Sequence, residues 1–166
     1  MTTIKLSGKE LLKRAIKGEQ DGLRFYTYVE GKATNPEAKR KLKRLADDET
    51  RHEKTLREIF RTVYGEEVGE LPAEGINALA KFLNTSGIDE LKTEMQFIDL
   101  AIQAELSATN FYKENIPTAE SAELKKLYQA LADEEYRHFE LLQAEKDALG
   151  GNYYWFGYDG SSPMEE

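Results

Sequence analysis

The octapeptide LADDETRH at residues 45–52 returns 86 positions later as LADEEYRH at residues 131–138, with six of its eight residues identical. The same offset places AIKGEQDGLRFY, residues 15–26, on AIQAELSATNFY, residues 101–112, where five of twelve residues agree. Similarity at one fixed offset is the signature of an internal repeat. We therefore predict that the chain consists of two homologous halves.

Apolar residues recur at steps of three and four in both halves, and the alternation typical of strands is nearly absent. The pattern predicts four long helices at about residues 8–31, 36–64, 88–115 and 119–149, with a short helix near residues 76–83. Short turns that contain Pro36 and Pro117 join the helices of each half. Each half is thus expected to be an antiparallel helical hairpin.

The connection between the two halves is longer. A helix of 25 or so residues is roughly 38 Å long, a distance that the connector at residues 65–87 can span when much of it is extended. One long crossover between two hairpins is the topology of ferritin-like bundles. The prediction is an all-α ferritin-like four-helix bundle over residues 1–150, with repeat halves at about 8–64 and 88–149 related by a pseudo-two-fold axis.

Glutamate and histidine residues interrupt the apolar stripes at equivalent positions of the two halves. Glu19, for example, lies between Ile16 and Leu23 on the stripe of the first helix, and so faces the predicted core. Residues of this kind on the core-facing stripes are Glu19, Glu49, His52, Glu105, Glu135 and His138. Four carboxylates and two imidazoles are therefore expected to converge inside the bundle.

Buried unpaired carboxylates are destabilising, and four of them would repel one another until some were protonated. Two divalent cations would neutralise all four. The Glu-x-x-His spacing places the two side chains about 5–6 Å apart at Cβ, where both can bind one ion.

One such motif on a charged helix is weak support, since a solvated glutamate and an ordinary core histidine give the same pattern. Two motifs in register with inward-facing glutamates match the ligand set of di-iron and di-manganese carboxylate bundles. We expect two iron ions, or manganese, with an oxide or hydroxide bridge.

Composition excludes several classes of protein. The chain has no cysteine, which rules out disulfides, thiolate-bound iron–sulfur clusters and the four-cysteine iron site of rubredoxin. Its formal net charge is −8, which disfavours binding to nucleic acid or anionic lipid. Mean hydropathy is −0.66, and the first residues lack the apolar region of a secretory signal. The expectation is a cytoplasmic protein with no nucleic-acid or membrane partner.

Over about residues 8–149 the order of these motifs resembles rubrerythrin-type ferritin-like proteins, and bacterioferritin has a similar pattern. The resemblance implies that Glu49 and Glu135 bridge the two metals, while Glu19 and Glu105 are terminal ligands on opposite sides.

The resemblance also assigns roles to residues beside the ligands. Tyr26 and Tyr112, each seven residues after a terminal glutamate, would hydrogen-bond toward the opposing carboxylates and supply protons or hold ligands in catalysis; ordinary core packing is the alternative. Asp48 and Glu134 would orient the histidines through Nδ1–H.

Two departures from the family pattern concern function. Rubrerythrins carry a further glutamate where this chain has Ala108, and that glutamate takes part in ligand exchange. They usually also carry a cysteine-ligated rubredoxin domain, for which this chain has neither the cysteines nor the length. Electrons would therefore come from a separate protein.

The function that these features predict is a non-haem di-iron oxidoreductase of rubrerythrin type, active in oxidative stress. It would reduce hydrogen peroxide or oxygen with electrons from iron or from an external donor such as a rubredoxin, as a homodimer. Three alternatives stay open. They are a ferritin-like ferroxidase for iron handling or storage, which needs a closed shell; a di-iron oxygenase acting on an organic substrate; and a dimetal site with a structural, sensing or regulatory role.

Residues 151–166 lie outside the repeat. Four aromatic residues at positions 153–156 are predicted to pack on the bundle or on a neighbouring subunit, with a role in gating or partner docking as the alternative. Residues 159–166 are predicted to be a polar disordered end. Four further acids lie near the motifs: Glu53, Glu134, Glu140 and Glu145. Most of them are expected to be surface or rim charges, with an approach of Glu53 or Glu134 to the site as the alternative.

Overall fold

The computed structural model describes residues 6–84, 87, 91, 93–150 and 152–156. This part of the chain contains five helices, α1 (Gly8–Lys32), α2 (Pro36–Tyr64), α3 (Leu79–Leu83), α4 (Glu94–Asn115) and α5 (Ala122–Ala148). The described residues form no strand, apart from an isolated bridge between Gly150 and Tyr153. The predicted all-α class is confirmed. None of the helices in the described ranges has an apolar run long enough to cross a bilayer.

Side-chain caps determine where the long helices begin. Ser7 and Thr93 each form a capping box at the start of α1 and α4, and Asn35 and Ser121 cap α2 and α5. Because Thr93 is extended, α4 begins at Glu94 rather than near residue 88; residues 88–90 and 92 lie outside the described residues. For the same reason α5 begins at Ala122 rather than near residue 119. The short helix α3 begins at Leu79, three residues later than predicted.

The helices pack as two hairpins, α1 with α2 and α4 with α5, whose buried faces form two separate apolar clusters. In the upper cluster, Phe25 and Val29 near the end of α1 pack with Phe97 and Ile98 near the start of α4. In the lower cluster, the start of α1 packs with the end of α4. Neighbouring helices of different hairpins therefore run antiparallel, as in a ferritin-like bundle.

The connector between the hairpins runs along the length of α1. Val68 lies in the lower apolar cluster and Leu79 in the upper one. Between them the chain lies almost directly on α1, since a Cβ on Gly75 would be 2.5 Å from the backbone nitrogen of Gly18. The connector thus covers the outside of α1 at the level of Glu19.

The aromatic tail packs back on the bundle, as the first of the two predicted arrangements requires. Trp155 is 2% exposed, and its carbonyl oxygen accepts hydrogen bonds from the backbone of Thr34 and Asn35 at 2.9 and 3.2 Å. Its indole Nε1 donates to Glu145 on α5 at 3.0 Å. Glu145 also accepts from Lys41 and Tyr153 and is only 4% exposed, so the expectation of a surface charge at this position is wrong. Residues 159–166 lie outside the described residues.

Trp155→Ala is expected to lower the free energy of unfolding by about 3–5 kcal/mol, because it removes a buried ring and leaves a cavity between α5 and the turn that joins α1 to α2. The matched control is Tyr154→Ala, whose ring is 38% exposed and which should cost less than about 1 kcal/mol. Urea unfolding followed by far-UV circular dichroism measures both, since Trp155 is the sole tryptophan and its fluorescence is lost in the variant. Equal losses in the two variants would contradict the docked position of the tail.

Candidate metal centre

The six side chains predicted to face the core meet halfway along the bundle, between the two apolar clusters. Each long helix brings them there on its inner stripe, where polar groups replace one layer of apolar contacts. None of the six is more than 6% exposed, the largest value being that of His138. The layer consists of Glu19, Glu49, His52, Glu105, Glu135 and His138.

Their donor atoms form two overlapping groups. Glu19 and His52 make one group with Glu49 and Glu135, and the ligand atoms of these four residues lie within 4.8 Å of one another. Glu105 and His138 make the second group with the same two glutamates, under the same distance limit. Each group has three carboxylates and one imidazole, and Glu49 and Glu135 belong to both. This is the sharing that the resemblance assigned to bridging ligands.

Both histidines turn Nδ1 toward the carboxylates. His52 Nδ1 lies 3.3 Å from Glu19 Oε2 and 3.2 Å from Glu135 Oε1. His138 Nδ1 lies 3.1 Å from Glu135 Oε2 and 3.5 Å from Glu105 Oε1. The two rings are stacked, with centroids 5.9 Å apart. Nδ1 is therefore the nitrogen available to a cation in each group.

The acids that precede the shared glutamates hold the opposite ring nitrogen, which corrects the sequence-based expectation of an Nδ1–H contact. Asp48 Oδ2 lies 2.9 Å from His138 Nε2, and Glu134 Oε2 lies 2.6 Å from His52 Nε2. Each contact also crosses between the hairpins rather than staying within one. An acid on Nε2 fixes the ring orientation and increases the basicity of Nδ1.

Two tyrosines reach across the bundle to the terminal glutamates, as predicted. Tyr26 on α1 donates a hydrogen bond to Glu105 on α4, and Tyr112 on α4 donates to Glu19 on α1 at 2.6 Å. Burial, followed by the nearby carboxylates, raises the pKa of both hydroxyl groups well above the usual value. Both therefore stay protonated and act as donors at neutral pH.

In the polypeptide without metal, the pKa values of the buried donors show that the layer needs positive charge. Burial and the neighbouring carboxylates raise the pKa of Glu49 and Glu135 well above 4.5. Burial opposes the charge of His52, but hydrogen bonds to Glu135 and Glu19 outweigh it and raise its pKa to about 11. Protons thus relieve the repulsion in the polypeptide by itself. A divalent cation that binds here must displace them.

The residues present fit a pair of metal ions. Glu49 Oε1 is buried and accepts no hydrogen bond within the described part of the chain, so one lone pair of a shared ligand is unused. Carboxylate and imidazole donors are suited to iron, manganese and zinc. Two divalent cations would offset the charge of the four glutamates, and the two histidines would bind them as neutral ligands.

Small residues next to the layer were not recognised as site residues from the sequence. Gly18 and Gly22 on α1, and their repeat counterparts Ala104 and Ala108 on α4, line a small cavity beside Glu19, Glu49, Glu105 and Glu135. Ile76 and Leu79 of the connector close it from outside. The available signal was glycine inside a long helix. Glycine lowers the stability of a helix by about 1 kcal/mol relative to alanine, so its presence there indicates close packing at that position.

Asp21 is a second residue that sequence reasoning missed. It is fully buried on α1, outside both four-donor groups, and Lys17 Nζ lies 2.6 Å from its Oδ1. Burial raises the pKa of Asp21. The Lys-x-x-x-Asp spacing on one helix was the signal in the sequence for this ion pair.

Gly22→Ala is expected to weaken metal binding about 10- to 100-fold, because the new Cβ would lie 2.4 Å from Glu49 Oε2 and displace a shared carboxylate. Gly31→Ala on the same helix is the control, since its Cβ would meet nothing within 4 Å and alanine favours helix. Anaerobic titration with ferrous iron measures both affinities. Equal affinities in Gly22→Ala and wild type would contradict this position of Glu49.

A four-helix bundle with a buried layer of four carboxylates and two imidazoles defines the class of ferritin-like dimetal proteins. The family model described as Rubrerythrin matches residues 10–146. The chain therefore belongs to the rubrerythrin family, with a ferritin-like fold and a buried cluster compatible with a dimetal site. No curated protein matches the chain.

Two solved structures illustrate the similarity of fold. A hypothetical protein from Pyrococcus furiosus is 30% identical with a TM-score of 0.72, over 86% of this chain and 89% of that one. CopM in its Cu(I)-bound form is 16% identical with a TM-score of 0.66, over 88% of this chain and 100% of that one. The second similarity shows the fold alone.

Proposed function

We propose that this protein is a cytoplasmic non-haem di-iron oxidoreductase that reduces hydrogen peroxide, or oxygen, with electrons from iron or an external protein donor. The observation that carries the proposal is the pair of four-donor groups sharing Glu49 and Glu135. Two metal ions held against common ligands can act together on one oxidant, whereas a single ion held for folding needs no such sharing.

The donor set supports iron. CopM is described in copper- and silver-bound forms, and soft thiolate or thioether ligands are those that Cu(I) prefers. The present layer contains only carboxylates and imidazoles, and the chain has no cysteine. Carboxylates suit iron and manganese, and imidazole is a common ligand of iron. We therefore propose two iron ions, for which Glu19 and Glu105 would be terminal ligands and Glu49 and Glu135 would be shared.

The bound iron pair would supply two electrons, which with two protons convert hydrogen peroxide to two molecules of water. The chain's own residues would position the ligands for that reaction. Tyr26 and Tyr112 hold Glu105 and Glu19 from opposite sides of the bundle, and their hydroxyl groups are the proton donors nearest to these carboxylates. Asp48 and Glu134 keep the two imidazoles facing inward through the crossing contacts described above.

The cavity between α1 and α4 favours a small oxidant. It has room for about one water-sized molecule and lies directly beside Glu19 and Glu105. The glycines and alanines that line it leave that space, while Ile76 and Leu79 close its outer side. A space of this size beside the candidate ligands is more consistent with a small oxidant than with a bulky organic substrate.

Stopped-flow mixing tests the proposal. Protein loaded anaerobically with two ferrous ions per chain is expected to react with hydrogen peroxide faster than with oxygen, followed by absorbance of the oxidised iron. Glu135→Gln protein is the control, because it lacks a shared carboxylate. Equally slow reactions of the wild type with both oxidants would contradict a catalytic role.

Homodimerisation stays a prediction, and light scattering tests it. A closed shell of many subunits would instead support iron storage.

A further inference from the structure

A second concave surface lies on the other side of the metal layer, between α2 and α5. It is a groove of about 320 Å³, and its floor is formed in part by His138 and Asp48. Its walls include four cationic side chains, Lys41, Arg44, Arg51 and Arg137. The oxidant cavity lies on the α1–α4 face, so the two concave surfaces approach the layer from different sides.

The groove is basic in a chain whose formal net charge is −8. Residues 39–44 of α2 read KRKLKR, with five cations in six positions. Arg44 and Arg137 are exposed and form no ion pair within the described residues. Positive charge is therefore concentrated on one face and is partly unneutralised there.

The groove reaches one histidine and not the other. On the His52 side, Arg51 closes over Glu134, with Nη2 2.6 Å from Oε2 and Nη1 3.3 Å from Oε1, and His52 is fully buried. The repeat counterpart of Arg51 is Arg137, which makes no such pair in the part of the chain that the structure describes. Arg51 Nη2 also lies 3.3 Å from Asp48 Oδ1, and Asp48 and Glu134, 27% and 23% exposed, both line the groove. Of the two histidines in the described layer, His138 lines the groove and His52 does not.

A short route joins the groove to the metal layer. Asp48 Oδ2 is 2.9 Å from His138 Nε2, and His138 Nδ1 is 3.1 Å from Glu135 Oε2. The route from solvent to the shared Glu135 therefore passes only through the partly exposed carboxylate of Asp48 and the imidazole of His138.

We propose that this basic groove is the docking surface for a small acidic electron-carrier protein that delivers electrons through Asp48 and His138. The proposal rests on the proposed function. Two reduced carriers dock in succession and each gives one electron, so that with two protons one hydrogen peroxide becomes two waters and two carriers are oxidised. Because the oxidant cavity is on another face, the carrier does not block it.

The layout of the cations fits a protein surface better than a single small anion. Lys41 and Arg51 are separated by about 15 Å along α2, at 1.5 Å per residue. Lys41 is already paired with Glu37 and Glu145, and Arg51 with Glu134 and Asp48, so the four cations do not converge on one point. Complementary charge over a span of this size accelerates protein association and makes it sensitive to salt.

The test uses a reduced rubredoxin with an acidic surface as the probe and compares two double variants with equal changes in charge. Arg44→Glu with Arg137→Glu reverses two groove cations. Lys125→Glu with Lys126→Glu reverses two exposed cations near the start of α5, outside the groove. Stopped-flow spectroscopy measures the second-order rate constant for reduction of the oxidised iron-loaded protein. Calorimetry measures binding of oxidised rubredoxin to the metal-free protein.

We expect the groove variant to lower the second-order rate constant about 10-fold or more at low ionic strength, and to abolish its salt dependence. Binding to the metal-free protein should weaken in parallel, while the control variant behaves like the wild type in both measurements. Equal losses in the two variants, or no salt-dependent association in the wild type, would overturn the docking surface. So would displacement of the rubredoxin by millimolar inorganic phosphate at constant ionic strength, which would indicate a small-anion site.

The two proposals can fail separately. A wild type that binds rubredoxin through the groove but does not react with peroxide would refute the proposed function alone. A wild type that reacts with peroxide but loses nothing on reversal of Arg44 and Arg137 would refute the docking surface alone.

Discussion

Glu49→Gln and Glu135→Gln are each expected to reduce the bound iron from two ions per chain to one or none. The reason is that each of these carboxylates belongs to both four-donor groups. Glu19→Gln or Glu105→Gln removes a donor from one group only, and should therefore leave about one tightly bound ion. Anaerobic titration with ferrous iron, followed by metal analysis after desalting, measures the stoichiometry.

The control is Glu53→Gln on α2, one position after His52. Glu53 accepts hydrogen bonds from Gln20 and Arg57 and lies outside both groups, so this variant should keep two ions. The shared-ligand variants also remove a buried carboxyl group that is disfavoured in its charged form, and their metal-free forms should be more stable than metal-free wild type. Two tightly bound ions in both shared-ligand variants would show that neither glutamate bridges.

Loading with metal is expected to raise the melting temperature by about 10–20 °C. Free metal at about 100 times the dissociation constant stabilises by about 2.7 kcal/mol per site, or about 5 kcal/mol for two sites. For a chain of this size, each kcal/mol corresponds to a shift of about 2–4 °C. Calorimetry on metal-free and ferrous-loaded protein, both kept anaerobic, measures the shift.

The same experiment has a defined dependence on pH. Glu49, Glu135 and both histidines have raised pKa values in the chain alone, so metal must displace protons from them. The metal-induced shift should therefore shrink as the pH is lowered. The double variant Glu49→Gln with Glu135→Gln should show little shift at any pH. A wild type whose melting temperature is unchanged by metal would contradict a buried dimetal site.

The repeat of residues 45–52 at 131–138 contained most of what could be predicted about the site. Identical residues at one offset place equivalent side chains on equivalent helices, and the 3.6-residue period turns them to one face. All six proposed ligands and both tyrosines therefore met as predicted. The helix starts were less accurate, because Thr93 and Ser121 stop the helices by capping, while the apolar pattern continues past them.

Other features depend on contacts between distant segments. Glu145 looked like a surface charge because its partners, Lys41 and Trp155, come from α2 and from the tail. The predicted contact through Nδ1 was also wrong, because each ring turns Nδ1 inward to the glutamates and leaves Nε2 for the acid on the other hairpin. Sequence spacing describes one helix, whereas these contacts depend on how two hairpins are placed against each other.

The sequence by itself determined the fold class and the identity of the buried donors, because helical periodicity and an internal repeat are properties of local spacing. Tertiary structure alone decided where the small cavity beside Glu19 and Glu105 lies, and that His138 rather than His52 faces the basic groove. The two halves have nearly the same motif, but Arg51 pairs with Glu134 while Arg137 stays free of ion pairs within the described residues. That asymmetry arises from packing between the hairpins, and the spacing of residues along a single helix cannot predict it.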